Sequence, residues 1–155
     1  MDDYIDGLRR SYYGEIVAEG FYRHLSLATA EGYRRTALSL IAEVERTTHR
    51  RLAPFAARFD IQLTDEERDR RLQARIQTLG QFDWDVFIRN AHREWPAYLH
   101  QFEDLERLAQ ARGEQGLAFL VEHEKALLDF VRRELAQPGS QDALAPMKSY
   151  LAAAP

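Results

Sequence analysis

Cysteine is absent from this chain, which excludes disulfides, thiolate metal ligands and a cysteine nucleophile together. No apolar run approaches the ~20 residues needed to cross a bilayer. No segment alternates apolar and polar residues as a half-buried strand does. The opening stretch, Met1 to Arg10, lacks the basic-then-apolar order of a secretory signal. Positive charge is not in excess either. Lys and Arg number 21 against 25 Asp and Glu, a net charge of -4, whereas phosphate binding needs a basic face. The stretch from Arg68 to Arg75 interleaves Arg with Asp and reads as a solvated helix surface. The expectation is a soluble, cytoplasmic protein with no nucleic-acid or membrane partner.

What is present describes a folded globule. Hydrophobic residues make up 45% and charged residues 30% of the 155 positions, a balance outside the disordered range and enough for one domain with its own core. Apolar residues recur at spacings of three and four through four long segments. The first runs from about Asp3 to Leu27 and the second from about Glu31 to Phe59, where Pro54 should kink the last turns. Thr64, followed by Asp65, Glu66 and Glu67, starts a shorter helix with capping-box spacing, and Gly80 stops it near Leu79. Asp83 caps the third long helix, in which Pro96 marks a bend or a break. The fourth runs from beyond Gly116 to about Ala136, ended by Pro138, Gly139 and Ser140. Residues 1–137 thus form a four-helix bundle, and 138–155 a C-terminal tail with a short helix docked by Met147, Tyr150 and Leu151. The long path through residues 60–82 resembles a crossover connection, since an up-down-up-down bundle needs only a short loop there.

Acidic and imidazole side chains occupy positions where this periodicity places core. Glu15 and Glu19 lie four apart on the first helix, and Glu45 and His49 four apart on the second, so each pair projects from one face. His123 and Glu124 sit among the apolar residues of the fourth long helix. On the third, His92 and Glu94 flank the inward row through Ala91 and Trp95, while His100 and Glu103 look outward. An isolated buried charge costs several kcal/mol or more, so inward carboxylates need a shared cation or mutual hydrogen bonds. The candidate metal ligands are therefore Glu15, Glu19, Glu45, His49, Glu94, His123 and Glu124. For each there is a plainer reading: a buried ion pair for Glu15 and Glu19, a hydrogen bond to Tyr12 or Tyr22 for Glu45 and His49, and a neighbouring helix or a dimer partner for His123 or Glu124.

Taken together the segments resemble the ferritin-like superfamily of carboxylate-bridged di-metal proteins, including the rubrerythrin-like ones. The stretch Gly14-Glu15-Ile16-Val17-Ala18-Glu19-Gly20-Phe21-Tyr22 is similar to those in which the family places a ligating Glu beside a small residue and an aromatic. Glu45 with His49 resembles the next ligand cluster. The resemblance covers roughly residues 3 to 136, and it implies an all-α, ferritin-like four-helix bundle. The family's Glu-x-x-His motif does not occur: Arg46 precedes His49 by three, and Leu120 precedes His123.

Two functions follow as expectations. The first is a non-haem di-iron or di-manganese oxidase or oxygenase acting on a small-molecule substrate; oxygen-rich ligation with imidazole suits Fe or Mn, and the lack of thiolate disfavours structural zinc. The second is a metal-free ferritin-like bundle that binds a partner or small ligand, its inward acids joined by hydrogen bonds. A homodimer is expected as well, because eight Phe, seven Tyr and two Trp are many for one slim bundle to bury.

Overall fold

The computed structural model describes residues 2–155. The chain is all-helical, with no strand among the described residues: α1 (Asp3–Ala28), α2 (Tyr33–Ala57), α3 (Asp65–Leu79), α4 (Trp84–Ala111), α5 (Ala118–Ala136), a 3-10 turn (Gln141–Leu144) and α6 (Ala145–Ala153). The helix starts follow local chemistry. The Asp2 carboxylate accepts from the Tyr4 and Ile5 amides, the Thr64 hydroxyl from Glu67, and the Asp83 carboxylate from Val86. The return half of the capping box at Thr64 is not made, because Glu67 turns its carboxylate to Arg70 and Arg71. Gly80 ends α3 at a φ of 65°.

The two interior prolines do not interrupt their helices: α2 continues past Pro54 to Ala57, and α4 runs unbroken through Pro96. Each removes one donor, and the carbonyls so released belong to Arg50 and His92, both exposed to water. Just beyond α2, Asp60 takes a left-handed φ of 53°, which Asp tolerates, and this returns Ile61 to the core.

The four long helices close a ring in the order α1, α2, α5, α4. Short connections make α1 antiparallel to α2 and α4 antiparallel to α5. Contacts give the remaining directions. Arg112 at the end of α4 lies over Tyr4 at the start of α1, while Tyr22 meets Trp95 further along. Phe55 near the end of α2 meets Phe119 at the start of α5, and Tyr33 bonds Glu134 at the opposite end. In chain order the ring therefore runs up, down, down, up. Two parallel helices, α2 and α4, occupy one diagonal, so a returning segment must join them. Helix α3 is that segment, lying along the outside of α1, with Leu72 against Gly20 and Arg75 over the Phe21 ring.

The core is divided in two. One apolar cluster gathers Phe21, Ile41, Trp84, Trp95 and Phe130, with Met147 from α6; the other gathers Tyr4, Leu8, Leu52, Phe102 and Leu120. On three helices the sequence passes from one cluster to the other through polar residues that are nonetheless buried: Glu15 on α1, Glu45 and Thr48 on α2, His123 and Glu124 on α5. A polar layer thus crosses the middle of the bundle. On α4 the same level is spanned by Leu99, which packs against both clusters.

Candidate metal centre

The polar layer is built from helix periodicity. Glu15 belongs to the inward row of α1 that carries Leu8 and Tyr22, and Glu45 to that of α2 with Leu38, Ile41 and Leu52; neither can turn to solvent without rotating its whole helix. On α5 both His123 and Glu124 are inward, because that helix is covered on two sides by α2 and α4 and again by α6.

His123 is fixed by its surroundings. Its Nδ1 lies 2.5 Å from the Leu120 carbonyl oxygen, which can only accept, so Nδ1 carries the proton of that bond. The Phe102 ring meets the imidazole edge to face at 4.9 Å, and Tyr150 from α6 lies 6.3 Å away, its hydroxyl held 2.8 Å from Thr48 Oγ1. The imidazole is thereby oriented with Nε2 toward the carboxylates: 3.3 Å from Glu15 Oε2, 3.8 Å from Glu45 Oε2 and 3.8 Å from Glu124 Oε2.

The converging atoms are unsatisfied. Glu15 Oε2, Glu45 Oε2, His123 Nε2 and Glu124 Oε1 are all buried without a hydrogen-bond partner. Buried polar atoms are almost always paired, so orphans on four neighbouring side chains call for a shared proton, a water or a cation between them. Ligand atoms of Glu15, Glu45 and His123 lie within 4.8 Å of one another. Ligands of one cation, each ~2.0–2.2 Å from it, lie at most ~4.4 Å apart, and the 3.3 and 3.8 Å from His123 Nε2 to Glu15 and Glu45 fall inside that limit. A backbone carbonyl behind the second ring nitrogen is the usual support of a metal-ligating histidine. The residues fit a metal.

Burial has a second consequence. It raises Glu15 to about 7, where the neighbouring Glu124 charge adds to the effect and a hydrogen bond with Glu45 opposes it. Glu124 is raised to about 8, again mainly by burial, with His123 opposing. Burial, then the charge of Glu15, holds Glu45 well above the usual carboxylate range. Without a cation these acids keep their protons near neutrality and share them.

The remaining sequence candidates lie elsewhere. Glu19 and His49 bond each other at 2.6 Å across the α1–α2 seam, where Arg23 also reaches Glu19 at 3.2 Å. Their side chains are 20% and 17% exposed, and they form a rim pair outside the unsatisfied cluster. Glu94 is exposed and pairs with Arg93 at 3.1 Å. His92 is exposed, and His100 faces Glu103 at the surface. Helix α4 thus supplies no ligand atom to the cluster of Glu15, Glu45 and His123; it leaves an opening instead. A cavity of about 290 Å³ runs inward between α1 and α4 to Glu15, Glu45 and Glu124, past walls formed by Ala18, Tyr22, Trp95 and Phe102. Its mouth carries Arg10, Gly14, Glu94, Tyr98 and Gln101, with Arg75 reaching in from α3; Glu94 thus borders the cavity without joining the cluster. Sequence reasoning missed Arg75, which sits in the stretch read as solvated surface; only the return of α3 along α1 brings it there.

A scan against models of known families finds no match, and neither a curated protein nor a solved structure matches the chain.

Proposed function

We propose that this chain is a metal-binding helical protein that holds a divalent iron or manganese ion among Glu15, Glu45, His123 and Glu124 and oxidises a small molecule admitted between α1 and α4, with O2 or a peroxide as the oxidant that takes up the electrons. The observation that carries the reading is the convergence of three buried, unpartnered ligand atoms, from Glu15, Glu45 and His123, with Glu124 beside them and the imidazole Nε2 turned inward by the bond at Nδ1. Three carboxylates and one imidazole form an oxygen-rich donor set that suits Fe or Mn. A bound ion of either kind supplies a redox-active Lewis acid. The chain's own groups do the rest: the carboxylates balance charge, Leu120 and Phe102 orient the imidazole, and Tyr22, Trp95 and Phe102 keep bulk water from the cavity walls.

Kinship with the ferritin-like superfamily belongs to the same proposal. The up-down-down-up ring with its returning α3 supports it. The ligand count of four supports one ion more readily than two, because α4 gives none and the rim pair of Glu19 and His49 is occupied with itself. All four ligands come from one chain, so the site does not call for a homodimer. Among the 17 aromatic residues only Tyr98 is exposed, and the aromatic count that suggested a dimer is accounted for within the chain.

The metal-free alternative draws on the lack of Glu-x-x-His and on the raised acids, which can share protons with one another. Metal analysis after expression with Fe(II) and Mn(II) available separates the two. The metal reading requires about one ion per chain and a higher melting temperature on adding metal, both lost in Glu45→Gln. Substoichiometric metal with an unaltered melting temperature sinks it and leaves the proton-sharing bundle.

A further inference from the structure

Most arginines on this surface have a carboxylate. Arg9 pairs with Asp6, Arg71 with Glu67, and Arg23 with Glu19 and Glu43. Arg10 and Arg75, both exposed at the mouth of the cavity, have no carboxylate within ion-pair distance among the described residues. Arg75 is also held in place. Its guanidinium stacks over the Phe21 ring at 4.2 Å and over Tyr22 at 5.5 Å, with one nitrogen 3.5 Å from the Tyr22 hydroxyl. Stacking fixes the plane of a guanidinium and leaves its in-plane N–H fork free for a planar anion. The groove beside the mouth, between α1 and α3, adds Arg9 and Arg71. Two arginines without a carboxylate partner, Arg10 and Arg75, thus line one opening, while the acid in its lining on the α4 side, Glu94, is paired with Arg93.

Inside the mouth the chemistry changes. The walls are Ala18, Tyr22, Trp95, Phe102 and Leu127, and the acids lie at the floor. An apolar chamber behind a cationic rim selects a ligand with an apolar body and an anionic end. A carboxylate head near the floor meets three acidic side chains; a head at the rim meets two unpaired guanidinium groups. Gly14 borders this passage, and a Cβ placed there stands in open space with nothing within 4 Å.

We propose that the cavity binds a small amphipathic monocarboxylate, its head at Arg10 and Arg75 and its apolar body directed inward toward the polar layer. The assignment rests on the metal-centre reading for the fate of the ligand, as the substrate class of that site, but not for its binding. Octanoate, octanol and acetate are the probes, titrated calorimetrically into metal-free and Mn(II)-loaded protein. Octanoate should bind saturably at one per chain in at least one form, with octanol and acetate at least about tenfold weaker. The paired substitution Arg10→Gln with Arg75→Gln should weaken octanoate by at least about tenfold in a protein that still unfolds in one cooperative transition, its melting temperature lowered only by the lost stacking of Arg75 on Phe21 and Tyr22. Gly14→Leu should block it, and Glu45→Gln should leave it bound. Equal binding of octanoate and octanol, no octanoate binding to either form, or an unchanged affinity in the double variant overturns the proposal. Octanoate binding that is lost in Glu45→Gln but kept in the arginine variant also overturns it, by placing the head at the floor. Octanoate bound as expected to a protein that takes up no metal leaves this inference standing while the metal reading falls.

Discussion

His123 Nε2 stands 3.3 Å from Glu15 Oε2, and neither atom has a hydrogen-bond partner. With Nδ1 committed to the Leu120 carbonyl, a neutral ring presents a lone pair to a carboxyl oxygen. Such a contact is relieved only by a cation between the atoms or a proton on one of them. Every functional consequence of the layer follows from which of the two is present.

Glu45 is the residue on which the two states differ most. In the metal-free protein its burial beside Glu15 opposes ionisation. Glu45→Gln should therefore raise metal-free stability at pH 8 by on the order of 1–3 kcal/mol, with little effect at pH 5, where the native residue is already protonated. The same change should abolish metal uptake. Chemical denaturation at the two pH values, with metal analysis of the same samples, checks both parts; a loss of stability at pH 8 would contradict the first.

The pH dependence has a definite sign. Glu15 and Glu124 titrate at about 7 and about 8 when folded, above the usual carboxylate value of 4.5 they regain on unfolding. The folded state binds more protons between these limits, so their contribution to stability is largest below about 4.5 and is lost as pH rises through 7 to 8. Asp2 and Glu67 act oppositely, lowered chiefly by hydrogen bonds from Arg112 and Arg71, but they are surface groups and their effect is screened. Metal must displace the protons of the layer. The rise in melting temperature on adding Mn(II) should accordingly be small at pH 5 and grow toward pH 8, and a thermal melt series with and without Mn(II) measures it.

The rim pair tests the boundary of the site. His49→Ala removes a half-buried hydrogen bond to Glu19 and should cost about 0.5–1.5 kcal/mol. Metal stoichiometry should stay unchanged, because Glu19 then keeps Arg23 and lies outside the cluster. Loss of metal in this variant would move the centre to the α1–α2 seam.

Much of this arrangement was legible in the chain. Helix starts at Thr64 and Asp83 and the stop at Gly80 rest on local hydrogen bonds, and local chemistry is what a sequence displays. Glu15, Glu45, His123 and Glu124 stood out because each interrupts an apolar row. Glu19 and His49 could not be separated from them, since an i,i+4 neighbour lies only about 40° away around the helix. Which edge of that face meets the partner helix is a tertiary fact. Here the α1–α2 seam passes over Glu19, and His49 and Arg23 satisfy it there. Glu94 is a similar case: one residue before inward Trp95, it is turned about 100° out of the row. Arg75 left no local signal at all.

Two glycines of α1 should respond in opposite ways to the same change. Both are helical, so alanine at either favours the helix intrinsically by about 0.5–1 kcal/mol. At Gly14 a Cβ meets nothing within 4 Å, and Gly14→Ala should realise that gain as a higher melting temperature. At Gly20 the same Cβ comes 3.0 Å from Leu72 Cδ2, where α3 presses on α1. Leu72 must shift to admit it, and packing between those helices loosens. Gly20→Ala should therefore gain nothing or lose stability, and paired thermal melts decide it. Equal stabilisation by both substitutions would show that α3 is not held against α1 at Gly20, and with it would go the reason that Arg75 is stationed at the cavity mouth.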